Sequence, residues 1–207
     1  MRIIDISMPI ANGMEVFPGD PQVDISRVKT LKKDGLVLSK ICMGLHTGTH
    51  IDAPMHYLPG GKGIDRIPLG SLTGKALVCD LSDRASGISG KDLKAVPIQK
   101  GDIVFLKTEN RQTRRKEGIY LQLTGAEHLV KNKVKAVGID RLSIEKPASE
   151  DASVHKLLLG REIPVIEGLV LEHVAGGRYL AHCSPLRIKG GEAAPARCVL
   201  VETSESP

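Results

Sequence analysis

The sequence predicts an α/β fold: a single domain over 1–207, dominated by a mixed sheet that curls towards a barrel, with a few helices on its flank. Three observations lead there. Short apolar runs rich in β-branched residues recur along the whole chain, bounded by Gly, Pro, Asp or Lys-Gly turns. Helix-period patterns are fewer. The 207 residues suffice for one substantial core, and no repeat, low-complexity tract or interdomain linker divides them.

Taken in order, strands are predicted at 3–6, 23–28, 36–45, 76–81, 103–106, 134–139 and 163–166, with 179–188 and 197–201 in the tail. Two helices are predicted, at 125–132 and 150–159. For the second, Ser149 can cap, and Glu150 and Asp151 put negative charge at the positive end of the helix dipole. Gly160 follows as a stop. The Gly- and Pro-rich pieces 17–21, 59–63 and 189–195 read as loops between strands, and 86–90 as a flexible turn.

Apolar content of 41% and charged content of 26% are ordinary for a soluble globular protein. Aromatics are scarce: Phe17, Tyr57, Phe105, Tyr120 and Tyr179, with no Trp. Ile, Leu and Val must pack the core. The net charge of +5 is scattered, and its densest run, 111–116, reads as a solvated loop. No aromatics interleave with it, so a nucleic-acid partner is not expected. Cys42, Cys79, Cys183 and Cys198 form no CxxC pair, and the N-terminus carries an acid where a signal peptide needs an apolar run. A reduced, cytoplasmic protein is expected, its thiols used for packing. No apolar stretch has the length of a membrane-spanning helix.

Chemistry enters at residues 46–56, His46-Thr47-Gly48-Thr49-His50-Ile51-Asp52-Ala53-Pro54-Met55-His56. Imidazole nitrogens and a carboxylate oxygen are the usual ligands of zinc or another first-row divalent ion. On a regular strand His46 and His50 would lie about 13 Å apart, at ~3.3 Å per residue, too far to share one ion. Thr-Gly-Thr and Pro54 are poor helix material. The remaining solution is a strand ending at Leu45, a tight bend at Thr47-Gly48-Thr49 using the freedom of Gly48, and an extended exit at Pro54. Such a bend gathers His46, His50 and Asp52 and leaves coordination positions open, as a catalytic site requires. His56 lies further along. A fourth ligand is one reading; a proton shuttle is preferred, because an imidazole titrates near neutral pH.

A second pair lies downstream. Glu167 closes a buried-looking strand just before Gly168, and a carboxylate there needs a cation or hydrogen-bond donors. His155, on its own, reads as a surface helix residue. With the first cluster nearby, these two could hold a second ion. His128, His173 and His182 lack such partners and read as structural. HExxH, Walker A, GxGxxG and GxSxG motifs are absent.

The segment 46–56 resembles the HxGTHxDxPxH signature of the putative cyclase family, which includes bacterial kynurenine formamidases. The likeness continues through Asp5-Ile6-Ser7 with Pro9, Phe17-Pro18-Gly19-Asp20, Val137-Gly138-Ile139-Asp140 with Leu142-Ser143, Ile163-Pro164-Val165-Ile166-Glu167, and Pro185-Leu186-Arg187-Ile188 with Ala194-Pro195. The resemblance implies a swivelling β/β/α barrel-like domain, assembled as a homodimer or higher homo-oligomer. It implies two divalent ions, zinc first and manganese or iron also compatible. One would be held by His46, His50 and Asp52, the other by Asp52, His155 and Glu167, with His56 as the catalytic histidine. The formamidases carry a Trp where this chain has Phe17; a Phe can still stack on a flat substrate ring. The implied activity is hydrolysis of a small amide, N-formylkynurenine to kynurenine and formate. Lactam hydrolysis of the isatin type or a dehydrating cyclisation are the alternatives within the family, and a non-catalytic metal-binding module is the alternative outside it.

Overall fold

The computed structural model describes residues 2–84, 86–108, 119–146, 149, 151–204 and 206–207. Among them run β1 (Ile3–Asp5), β2 (Asp24–Lys29), α1 (Leu31–Asp34), β3 (Leu38–Cys42), β4 (His50–Asp52), β5 (Thr73–Asp80), α2 (Gly90–Lys94) and β6 (Ile103–Lys107). There follow α3 (Leu123–Lys131), β7 (Ala136–Ile139), α4 (Ser153–Leu159), β8 (Val165–Glu167), β9 (Gly177–Pro185) and β10 (Ala193–Val201).

The main sheet is ordered β1-β10-β4-β8-β7-β6-β5-β9, and β9 also pairs with β10. Seven strands therefore close into a barrel-like ring, with β1 attached outside it. β5, β6, β7 and β8 are parallel neighbours, and α2, α3 and α4 lie on the three connections between them. Parallel strands need such crossovers, whereas β4, β9 and β10 close the ring with antiparallel pairings.

Period-2 alternation splits the core into two layers. Ala76, Val78, Ile103 and Phe105 join Ile51, Ile166 and Leu200 in one apolar cluster. The intervening Leu77, Cys79, Val104 and Leu106 join Leu93, Leu129 and Leu158 of the helices in the other. β6 and β7 are thus buried on both faces, which explains their unbroken apolar runs. Each fully buried Leu, Ile or Phe of this kind contributes about 1.5–3 kcal/mol relative to exposure. Cys79, Cys183 and Cys198 are free buried thiols of these layers, while Cys42 is exposed.

Four expectations need correction. The strand expected at 36–45 is shorter, Leu38–Cys42, because the chain leaves the sheet after Cys42 and turns at Leu45 and His46. Residues 189–195 are only partly loop: Ala193, Ala194 and Pro195 belong to β10 and pair with Asp52, Ile51 and His50. The segment 86–90 ends in a capped helix, since Ser89 and Asp92 form a capping box for α2. The helix expected over 150–159 begins at Ser153, because Ala152 is left-handed at φ 47° and Ser149 instead donates to Asp151. Glu150 and the basic run 111–116 lie outside the described residues.

Candidate metal centre

Asp52 sits where the site's side chains converge. β4 is short and wholly buried, and residues two apart on a strand share a face. His50 and Asp52 therefore point one way while Ile51 points into the core. The bend expected before β4 is present: Gly48 is left-handed at φ 63° and packs on Met14 and Ile10. Thr49 ties the bend down, its Oγ1 donating to the Gly168 carbonyl at 2.5 Å and accepting from the Met8 amide at 2.8 Å. β8 lies antiparallel to β4 and sets Glu167 opposite His50. α4 delivers His155 as its third residue, buried rather than on the surface.

The distances are short. Asp52 Oδ1 lies 3.0 Å from His46 Nδ1 and 3.5 Å from His50 Nε2, and Asp52 Oδ2 lies 3.4 Å from His155 Nε2. Glu167 Oε1 is 3.1 Å from His155 Nε2, and its Oε2 is 3.5 Å from His50 Nε2. Two triads result, His46–His50–Asp52 and Asp52–His155–Glu167, each with ligand atoms within 4.8 Å of one another.

A divalent ion fits this donor set. Ligands bound at 2.0–2.2 Å around one ion stand about 3.0–3.5 Å from each other, the spacing found here. His46 Nε2, His50 Nε2 and both Asp52 oxygens are buried without a hydrogen-bond partner. The 3.0 Å approach of His46 to Asp52 lacks hydrogen-bond alignment, as expected of two groups aimed at a third. Leaving such atoms unsatisfied is costly, and coordination removes the cost. The Gly48 carbonyl accepts from His50 Nδ1 at 2.9 Å, so Nε2 is the nitrogen left to face the carboxylates.

Without an ion, the carboxylates favour charge on the imidazoles they face. Burial opposes charge on His50, but Glu167 and Asp52 outweigh it and lift the imidazole to about 9. His155 is raised as well, burial again being overcome, here by Asp52, Glu145 and Glu167. Asp52 is held well below the usual carboxylate range: burial pushes it up, and the imidazoles of His155, His46 and His50 pull it down further. His56 goes the other way. Burial lowers it, His46 and His155 add to this, and Asp52 and Glu167 only partly oppose them.

The family model described as "Putative cyclase" matches residues 4–146, more than half of the chain. The chain belongs to the putative cyclase family. A kynurenine formamidase of Salinibacter ruber (strain DSM 13855 / M31) is 33% identical to it over 97% of both chains. A solved structure described as a potential metal-dependent hydrolase with cyclase activity shares 37% identity over 96% of both chains, with a TM-score of 0.84. The isatin hydrolase A of Labrenzia aggregata, 19% identical, shows the same fold at a TM-score of 0.85 over 98% of this chain and 94% of its own.

In this cyclase-family chain His46, His50, Asp52, His155 and Glu167 all meet. His56 meets them too, closer than its place in the sequence suggests. Pro54 does not extend the exit but opens a single 3₁₀ turn, Pro54–His56, that swings the imidazole back. Its ring centroid lies 4.2 Å from that of His46 and 6.0 Å from that of His155. Phe17 lies at the start of a turn, 45% exposed, and joins none of the ring contacts described around His56. His173 and His182 lie elsewhere, the first on the Asp5 carbonyl and the second between Thr73 and Ser184.

Two neighbours escaped the sequence reading. The ring of Tyr57 lies 4.1 Å from His56 and 4.9 Å from His155 by centroid. The scarcity of aromatics, with a Tyr directly after His56, was the available signal. Glu145 faces the other side of His155, its Oε1 3.4 Å from Nδ1. Nothing in the spacing of Glu145 marked it.

Proposed function

We propose that residues 1–207 form one catalytic unit, a two-metal amidohydrolase that cleaves the formyl amide of N-formylkynurenine. The observation that carries this reading is the sharing of Asp52. One of its oxygens faces His46 and His50 while the other faces His155, so one carboxylate can serve two ions. His46, His50 and Asp52 would hold the first ion, and Asp52, His155 and Glu167 the second. Histidine-rich ligation favours zinc, with manganese compatible. When bound, such ions polarise a carbonyl and make water nucleophilic near neutral pH.

The chain's own residues supply the rest. Burial lowers the His56 pKa, which favours the neutral imidazole that a base must offer. One ring nitrogen can take the proton given up by the attacking water and pass it to the departing nitrogen. Tyr57 flanks His56, its ring 4.1 Å away by centroid. Phe17 supplies an aromatic face for the substrate ring. The 33%-identical kynurenine formamidase supports the choice of substrate. A cytoplasmic homodimer or higher homo-oligomer completes the reading. Free buried thiols favour a reducing compartment. No helix among the described residues is long and apolar enough to cross a membrane.

Elemental analysis with a substrate panel tests this. The expected result is two zinc ions per chain and formate release from N-formylkynurenine. Ring opening of isatin in its place would make the chain a lactam hydrolase. Bound metal with no turnover of any amide would leave a metal-binding module.

A further inference from the structure

We infer that Glu145 is a positioning residue for the metal centre: it fixes the ring of His155 and so the ion that His155 shares with Asp52 and Glu167. The inference rests on the proposed role of His155 as a ligand. Glu145 Oε1 accepts from the backbone amides of Val154 at 2.8 Å and His155 at 3.0 Å, and lies 3.4 Å from His155 Nδ1. The opposite nitrogen, Nε2, faces Glu167 Oε1 and Asp52 Oδ2 at 3.1 and 3.4 Å. One carboxylate therefore holds both the backbone and the ring of the same residue.

The local backbone explains why a carboxylate from so far upstream is used. α4 starts after Ala152, which is left-handed and has no capping side chain. The first amides of a helix have no partner within it, and Glu145 satisfies two of them. The neighbouring residue reinforces the arrangement. The Ile144 amide donates to Glu167 Oε1 at 2.7 Å, so consecutive residues aim two side chains of one triad. A histidine whose second nitrogen is held by a carboxylate keeps one tautomer and one ring orientation, and binds metal more tightly. With its side chain 11% exposed, Glu145 is well placed for this.

A helix cap alone would give some of the same contacts, and two variants separate the roles. In E145Q the amide oxygen can still accept from Val154 and His155, while the negative charge beside Nδ1 is gone. In E145A both are lost. Metal-depleted protein is titrated with Zn2+ against a chromogenic chelator, and unfolding temperatures are recorded in parallel. The expected result for E145Q is a Tm near that of the parent with one of the two ions bound about 10- to 100-fold more weakly. E145A should show the same loss or more, with a Tm several degrees lower. Both variants holding two ions as tightly as the parent would overturn the inference alone. A parent chain that takes up no zinc would overturn the metal-centre reading, and this inference with it.

Discussion

Gly168 is packed onto Gly48 so closely that a Cβ on Gly168 would lie 2.3 Å from the Gly48 carbonyl oxygen. Each glycine adjoins proposed ligands: Gly168 follows Glu167, and Gly48 lies between His46 and His50. Both are left-handed, at φ 66° and 63°. Gly168→Ala therefore meets backbone strain and a collision with main-chain atoms. A loss of about 3 kcal/mol or more is expected, a Tm drop of roughly 6–12 °C, together with lost metal uptake. Gly48→Ala meets Met14 Cε, Ile10 Cγ1 and the Met8 carbonyl oxygen at ordinary contact distances of 3.4, 3.5 and 3.9 Å, so its φ is the main strain and it should cost about 1 kcal/mol. Thermal unfolding and elemental analysis of the two variants check this. Equal stability would contradict the proposed contact.

His56→Ala addresses the proposed proton carrier. The imidazole touches the rings of His46 and Tyr57, yet the triads are formed without it. The expected result is a fall in kcat of about 10²- to 10⁴-fold with metal content unchanged. Loss of an ion from the variant would make His56 a ligand instead.

The parts legible in the sequence were those governed by local rules. Apolar runs rich in β-branched residues marked the strands of the parallel half, because burial on both faces leaves a continuous run such as 103–106. Gly48 betrayed its bend because few other residues adopt that φ cheaply. Most of the misses depended on partners distant in the sequence. Ala193, Ala194 and Pro195 look like loop by composition and become strand only because β4 lies beside them. Pro54 could direct the chain either outward or into a turn, and the backbone bond from the His56 amide to the Ala53 carbonyl selects the turn. Glu145 acquires meaning only when Val154 and His155 arrive above it.

Phe17→Ala tests the proposed substrate-facing aromatic. The side chain is 45% exposed, so its removal should change stability by about 0.5 kcal/mol or less. If it stacks on the substrate, the loss of ~0.5–1.5 kcal/mol of ring contact should raise KM about 2- to 12-fold with kcat little changed. An unaltered KM would remove Phe17 from the site and leave Tyr57 as the aromatic wall.

Protons and metal should compete for the same nitrogen. In the metal-free chain His50 is raised to about 9, because Glu167 and Asp52 outweigh the burial that opposes its charge. A folded pKa above the unfolded value near 6.5 means that the folded chain keeps a proton the unfolded chain gives up. The resulting stability is complete below about pH 6.5 and is lost as pH rises through about 9. The proposed ligand role needs this imidazole neutral, so loading at pH 7 should expel the proton. The Tm of metal-free protein is therefore expected to fall between pH 7 and pH 9.5, while that of zinc-loaded protein changes less. Titration calorimetry in buffers of different ionisation enthalpy should detect proton release at pH 7 that shrinks above about pH 9. Zinc binding at pH 7 without proton release would mean that His50 is already neutral, and that Asp52 and Glu167 are balanced by some other charge.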